Sequence, residues 1–303
     1  ISGKGGTGKT SIVASFAALA GNAVLADCDV DAADLHLVLE PEIQRREPFS
    51  GGKRARLDPG LCRGCGKCSE LCRFGAVLAD RPHEPPGGRV YRIDPITCDG
   101  CGVCAWFCPE QAIVLEQAIN GEWFVSDTRH GPMVHAKLGI AEENSGKLVS
   151  TVRQEARRIA QALKRDLILI DGSPGIGCPV IASITGASLI LVVTEPTVSG
   201  LHDLNRVTDL AKHFAVPAMV CVNKWDLNPE VAMMTETHAL RRGLRVAGRI
   251  RYDRGVTQAQ VARKSVVEYQ RNGCAEDIRS AWEAVRRELD RSPDVSGGER
   301  RGS

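Results

Sequence analysis

What this sequence lacks narrows it first. No run of apolar residues is long enough to cross a bilayer and no export signal is visible, so the chain reads as one of a reducing cytoplasm. Charge of neither sign prevails. Its 39 Lys and Arg stand against 37 Asp and Glu, a net +2 that neither demands nor excludes nucleic acid. The 7 histidines (His36, His83, His130, His135, His202, His213 and His238) form no H-x-x-E or H-x-x-x-H pattern, which removes the usual histidine-built metal sites. Near the end Ile278, Trp282, Val285 and Leu289 recur at helical spacing, but the charges between them are mixed. That helix is expected to pack on a sheet, so neither nucleic acid nor a membrane is an indicated partner.

Cysteine, by contrast, is abundant. Of 12 residues, eight fall in two runs, Cys62, Cys65, Cys68, Cys72 and Cys98, Cys101, Cys104, Cys108, each spaced C-x2-C-x2-C-x3-C. The likeness extends past sulfur. Arg56-Leu57-Asp58-Pro59 precedes the first run as Arg92-Ile93-Asp94-Pro95 precedes the second, Gly64 and Gly66 match Gly100 and Gly102, and Ala76-Val77 matches Ala112-Ile113. Residues 56–77 and 92–113 are therefore a duplicated element about a pseudo-twofold axis. Structural zinc draws two thiolate pairs from separate turns, and disulfide frameworks belong to short secreted chains, so neither suits this pattern.

The spacing resembles that of bacterial two-cluster ferredoxins, where the first three thiolates of each run hold one four-iron cluster and the fourth crosses to the other. The resemblance implies Cys62, Cys65, Cys68 and Cys108 for one [4Fe-4S] cluster, and Cys98, Cys101, Cys104 and Cys72 for the second. Pro109 follows Cys108 as in ferredoxins, but Arg73 follows Cys72, a cation expected to raise the potential of the cluster that Cys72 ligates. Trp106 is expected to shield a cluster from water. Cys28, Cys221 and Cys274 read as packing residues. Cys178 lies seven residues after Asp171, where the nitrogenase iron protein carries one of two cluster-bridging cysteines, but the second has no counterpart.

The chain opens on a different motif. Gly3 to Thr10 satisfies G-x-x-x-x-G-K-[ST]. In such a loop the backbone of Gly5, Gly6, Thr7 and Gly8 wraps phosphate oxygens, Lys9 reaches the β and γ phosphates, the Thr10 hydroxyl holds Mg²⁺, and Ser11 continues the cradle. Only Ile1-Ser2 stands before Gly3, where a core strand is needed, so the natural chain is expected to begin earlier.

With Lys4 the loop reads K-G-G-x-G-K-T and resembles the deviant Walker A motif of the MinD/ParA/Mrp family of P-loop ATPases. From Ile1 to about Val267 the chain is similar to the MinD-like branch that carries an inserted ferredoxin domain. That resemblance implies a dimer, homo- or heteromeric with a paralogue, closed by ATP, with Lys4 reaching the partner's nucleotide. It implies that Asp29, after the apolar strand Val24–Asp27, orients the attacking water and that Asp31 and Asp34 continue this switch. These acids also suit a cap on the next helix. Leu167–Ile170 reads as a buried parallel strand, with Asp171 as the Walker B acid on Mg²⁺ and Gly172–Gly175 as a second switch in which the Gly175 N–H senses the γ-phosphate. Asn223-Lys224-Trp225-Asp226 ends a later strand as N-K-x-D. The spacing leaves adenine and guanine open, and the resemblance favours ATP, with Asn223 and Asp226 beside the base.

The expected architecture is α/β: a mostly parallel P-loop sheet flanked by helices over 1–54 and 118–291, an inserted α+β ferredoxin-type module over 55–117, and a polar tail over 292–303. Pro41, Pro48, Gly51 and Gly52, with Arg45, Arg46, Lys53 and Arg54, read as an exposed linker into the insert. An irregular loop is expected over Asp80–Arg89, and a helix from an Asn144-Ser145 cap to about Lys164. The leading functional expectation couples an ATP-driven dimer switch to electron transfer through two [4Fe-4S] clusters toward a redox partner. Iron-sulfur or metallocofactor assembly is one alternative, and a ParA/MinD-like positioning ATPase with a structural or redox-sensing module is another. An amidating synthetase, which shares the nucleotide fold, would need a glutaminase region that is not found here.

Overall fold

The computed structural model describes residues 1–79, 91–139 and 145–291. The expected loop over Asp80–Arg89, the Asn144 cap and the polar tail lie outside the described residues. In chain order the elements are α1 (Lys9–Ala20), β1 (Ala23–Asp27), α2 (Leu35–Leu39), β2 (Glu42–Phe49), β3 (Gly52–Leu57), α3 (Lys67–Leu71), β4 (Val77–Ala79), β5 (Tyr91–Ile93), α4 (Val103–Trp106), β6 (Ile113–Ala118), β7 (Gly121–Thr128), β8 (Gly131–Leu138) and α5 (Ser145–Ala162). There follow β9 (Leu167–Asp171), α6 (Cys178–Ile184), β10 (Ile190–Thr194), α7 (Val198–His213), β11 (Ala218–Asn223), α8 (Pro229–Arg241), β12 (Arg245–Ile250), α9 (Gly255–Val261), α10 (Val266–Tyr269) and α11 (Cys274–Arg291). The chain divides into two compact units. One comprises Ile1–Arg46, Trp123–Lys137 and the chain from Ser145 onward, and the other Glu47–Glu122 with a short segment beginning at Leu138.

In the first unit β1 pairs in parallel with β8 and with β9, within a ladder ordered β2-β7-β8-β1-β9, and β10-β11-β12 form a second parallel ladder. Ile1-Ser2 lies between the two. The Ile1 amino group donates to Leu191 O at 3.0 Å, Val193 N donates to Ile1 O, and Ser2 bridges Pro174. Helices cover the strands with apolar stripes: Phe16 of α1 meets Trp282 of α11, their ring centroids 4.9 Å apart, while Leu204, Val207 and Ala239 pack with Val192, Val220 and Val222. The apolar stripe of α11 is thus used for packing, as its mixed charges predict.

Two expectations change. β9 is parallel, but its apolar residues are only half-buried because it pairs on one side, with β1. The segment read as a linker is largely strand, β2 and β3. Pro48 is tolerated because β2 is an edge strand that need not donate every N–H, and its arginines are engaged: Arg45 stacks over Trp123 at 4.8 Å and pairs with Glu155, and Arg46 lies over Phe124.

The second unit shows the duplication directly. β3 pairs antiparallel with β6 and β4 with β5, matching Leu57 with Ile113 and Val77 with Ile93. Asp58 N donates to Ala112 O and Asp94 N to Ala76 O, both at 2.8 Å. Gly66 and Gly102 precede α3 and α4 with φ of 80° and 81°, a left-handed turn natural to glycine. The buried core is small: Ala55, Cys68, Val77, Tyr91 and Ile113.

Candidate functional site

The glycine-rich loop ends where α1 begins. Its N-cap, Gly8, has φ 86° and offers no side-chain cap, and the first turn of α1 holds no acid. The first N–H groups of the helix therefore lack local acceptors, and its dipole presents positive charge to the loop. A Cβ at Gly8 would collide with Asn223 Nδ2, which donates to Thr7 O at 2.7 Å. Asn223 thus braces the loop from the end of β11.

Strand register then gathers acids around Lys9. Asp27 and Asp171 are partners across β1 and β9. Lys9 Nζ lies 2.6 Å from Asp171 Oδ1 and 3.4 Å from Asp29 Oδ2. Burial works against the Lys9 charge, but the Asp171 carboxylate more than offsets it and raises the lysine's pKa. Asp27 is wholly buried. Desolvation, then the neighbouring Asp171, pushes its pKa well above the carboxylate range, and burial also raises that of Asp29. The Asp27 Oδ2, Asp171 Oδ2 and Thr7 Oγ1 atoms are buried with no hydrogen-bond partner. The second switch is tied to the first, since Ser173 Oγ donates to Cys28 O at 2.6 Å and Cys28 N to Asp171 O. Gly175 has φ 93° and its N–H donates to Ser2 O.

Among the remaining expected residues, Ser11 Oγ accepts from Gln260, Thr10 is half-buried, and Gly5 and Gly6 have open space beside their Cα. Asp226 is exposed, and its Oδ1 accepts Tyr252 N at 2.6 Å, a loop staple rather than a free carboxylate. Asp34 occupies the N-cap of α2 without a side-chain cap bond. Lys4 is held by Glu195, 3.1 Å away, and the same carboxylate takes Lys224 at 2.5 Å, whose Nζ also donates to Gly6 O. Burial alone would raise Glu195, yet the two lysines hold it below the ordinary glutamate value.

Sequence reasoning missed Asp27 and Glu195. Each acid stands at or just past the carboxyl end of a parallel strand, β1 and β10, where ligands bind in such sheets. That position was the available signal.

In the second unit none of the eight motif cysteines is paired in a disulfide, and they sort into two cavities. One is lined by Cys62, Cys65, Cys68 and Cys108, the other by Cys72, Cys98, Cys101 and Cys104. Burial raises the Cys68 and Cys104 thiols. Among the described residues no three His, Cys, Asp or Glu side chains come together closely enough to hold a single metal ion. Trp106 is 86% exposed rather than folded over the thiols as expected. Cys28, Cys221 and Cys274 are buried as expected, while Cys178 is exposed at the start of α6. No described helix is long and apolar enough to cross a membrane.

The profile of the family described as the CobQ/CobB/MinD/ParA nucleotide binding domain matches residues 1–266. The uncharacterized protein MJ0578 of Methanocaldococcus jannaschii is 34% identical over 231 residues, covering 75% of this chain and 78% of that protein. The fold is similar to that of the Pyrococcus furiosus cell division ATPase MinD, with TM-score 0.55 and 17% identity over 95% of this chain and 97% of that one. It is equally similar, at TM-score 0.55 and 18% identity over 94% and 93%, to the Pyrococcus horikoshii septum site-determining protein MinD complexed with Mg-ADP.

Proposed function

Since the chain belongs to the CobQ/CobB/MinD/ParA nucleotide-binding family, we propose that it is a MinD/ParA-type ATPase whose Lys4–Ser11 loop takes the phosphates of ATP and closes a dimer that hydrolysis reopens. The observation that carries this is Lys9 at the uncapped N-terminus of α1, within reach of Asp171 and Asp29. Incoming phosphate competes with those carboxylates for Lys9, and the orphaned Oδ2 atoms of Asp171 and Asp27, with the Thr10 hydroxyl, fit a Mg²⁺ ion. Bound there, Mg²⁺ neutralises charge developing on the transferred phosphoryl group. Burial, then the neighbouring Asp171, favours the protonated form of Asp27 and a cation shared there would oppose that, so Mg-ATP affinity should rise as pH increases. Asp29, at the loop's edge, aligns the attacking water. Lys4 leaves Glu195 to reach the partner's phosphates. Light scattering with and without Mg-ATP tests this: a dimer that forms only with nucleotide, and not in Lys9→Ala, is expected, and a dimer indifferent to both would sink it.

The two cavities favour a second element. Each collects three thiols of one run and the fourth of the other, the ligand sharing of a two-cluster ferredoxin. We assign Cys62, Cys65, Cys68 and Cys108, and Cys72, Cys98, Cys101 and Cys104, to two [4Fe-4S] clusters, which supply reversible one-electron chemistry when bound. The two MinD structures that share this fold are named as a cell division ATPase and a septum site-determining protein, so a structural or redox-sensing module on a MinD/ParA-type switch agrees with them better than electron delivery or cofactor assembly does. Anaerobic reconstitution should load about eight irons per chain. Stable uptake of zinc alone would remove the assignment.

A further inference from the structure

The pseudo-twofold of the cysteine-rich unit pairs the lining of one cavity with that of the other and so reveals where the two halves part. The apolar lining corresponds: Leu57 with Ile93, Ile113 with Val77 and Ala112 with Ala76. Four positions do not. Arg63, Lys67, Glu110 and Tyr91 line the first cavity, and Asp99, Val103, Phe74 and Ala55 stand at the equivalent places of the second. The first lining therefore carries two cations and one acid, the second one acid and no cation. The Tyr91 hydroxyl, at the spot a Cβ on Gly66 would crowd, adds a donor that Ala55 cannot supply.

An independent observation points the same way. Gly64 N donates to Cys62 Sγ at 3.4 Å and Ala112 N to Cys108 Sγ at 3.3 Å, both thiols of the first cavity. Their counterparts, Cys98 and Cys72, receive no such bond among the described residues. Positive charge and N–H donors at ligand sulfur both stabilise the more negative, reduced form of an iron-sulfur site and raise its potential. Arg73 does not reverse this. Its guanidinium is stacked on Phe74 at 4.7 Å and is absent from the lining of the second cavity, whereas Arg63 and Lys67 are part of the first.

We propose that this chain's two cluster sites are held at unequal reduction potentials, the Cys62/Cys65/Cys68/Cys108 site being the higher, so that it takes the first electron from an external one-electron donor and the other site the second. The proposal rests on the cluster assignment above. It inverts the expectation drawn from Arg73, and it makes the module a graded sensor or a one-way step between two unequal stations.

The test is a redox titration of the full chain, reconstituted anaerobically, reduced stepwise with dithionite and followed by electron paramagnetic resonance, with iron counted first. Two successive one-electron waves are expected, with at least a tenfold preference of the first electron for the higher site, or about 59 mV for a one-electron couple. Arg63→Asp should lower the upper wave and leave the lower in place, while Asp99→Arg or the milder Asp99→Asn should raise the lower wave. Both side chains are exposed, so these substitutions leave the core untouched. High salt should narrow the gap without closing it, because the N–H bonds to sulfur are not screened. Full iron content with superposed waves, or Arg63→Asp moving the lower wave, overturns the proposal alone. Iron far below two clusters per chain overturns the cluster assignment and this proposal together.

Discussion

The phosphate loop and the cysteine-rich unit arrange their polar side chains in opposite ways. Around the loop the charges are internal: Asp27 and Asp171 are fully buried, Lys9 nearly so, and Lys9 pairs with Asp171 from the first position of a 12-residue helix. Such a site exists before any ligand does, because burying unpaired carboxylates would be costly and the fold supplies the counter-charge. In the cysteine-rich unit Cys65 and Cys101 are exposed, the buried cluster beside the thiols comprises, among the described residues, Ala55, Cys68, Val77, Tyr91 and Ile113, and Ile96 and Trp106 lie open at 74% and 86%. There, on the cluster assignment proposed above, the order of the site is expected to depend on what the thiols hold. The first region stores its function in packing, the second in spacing.

The contrast can be broken most severely at Lys9. Lys9→Ala strands the buried acids and should cost about 3–5 kcal/mol in urea unfolding, the range for breaking a buried ion pair, as well as abolish nucleotide-dependent dimerisation. Unchanged stability would mean that the loop is not pre-neutralised by its own acids. Stripping iron with a chelator after reduction should act on the other region alone: amides between Glu47 and Glu122 should lose most of their hydrogen-exchange protection, while β1, β9 and β11 keep theirs. If protection persists, the five-residue core suffices and the thiols are not organising the fold.

Acid sharpens the comparison by weakening the first unit through a group that has nothing to do with the phosphates. His135 bonds Ser126 Oγ at 2.9 Å and stacks on Phe124, and burial, then the neighbouring His36, lowers its pKa from 6.5 to about 4. A folded value below the unfolded one means stability fully present above pH 6.5 and lost as pH falls through 4. That shift corresponds to roughly 3 kcal/mol, measurable as a falling urea midpoint that His135→Gln should flatten. The smallest effect is expected at Glu195. Its pair with Lys4 is partly exposed, so Glu195→Gln should lower the ATP concentration needed for dimerisation by only about 2–5-fold, as for a surface ion pair. A requirement for more ATP would show that Glu195 assists Lys4 rather than restrains it.

Much of the fold was legible because its signals are local. The strands at Leu167–Asp171 and Ala218–Asn223 stand where their apolar runs put them, and the helix after the loop follows its alanine-rich sequence. Asp27 was passed over because nothing in Ala26-Asp27-Cys28 distinguishes a buried acid from an exposed one. Only its register with Asp171 does so. Glu195 was passed over because its partner Lys4 lies at the far end of the chain. The apparent linker at Pro41–Arg54 misled because arginine reads as solvent-seeking, whereas Arg45 and Arg46 lay their guanidinium groups on aromatic faces.

The sequence by itself determined two motifs: the glycine spacing that lets a backbone wrap phosphate and the repeated thiol spacing, both short-range patterns that need no fold to be recognised. Tertiary structure decided how charge is distributed among them. Parallel register set Asp27 beside Asp171 and brought Asp171 to Lys9, and the crossing of the duplicated halves brought Cys108 and Glu110 to Cys62, Cys65 and Cys68, and Cys72 and Phe74 to Cys98, Cys101 and Cys104. Electrostatic interaction depends on distance in space and on the water between charges, and neither is written in the order of residues along the chain.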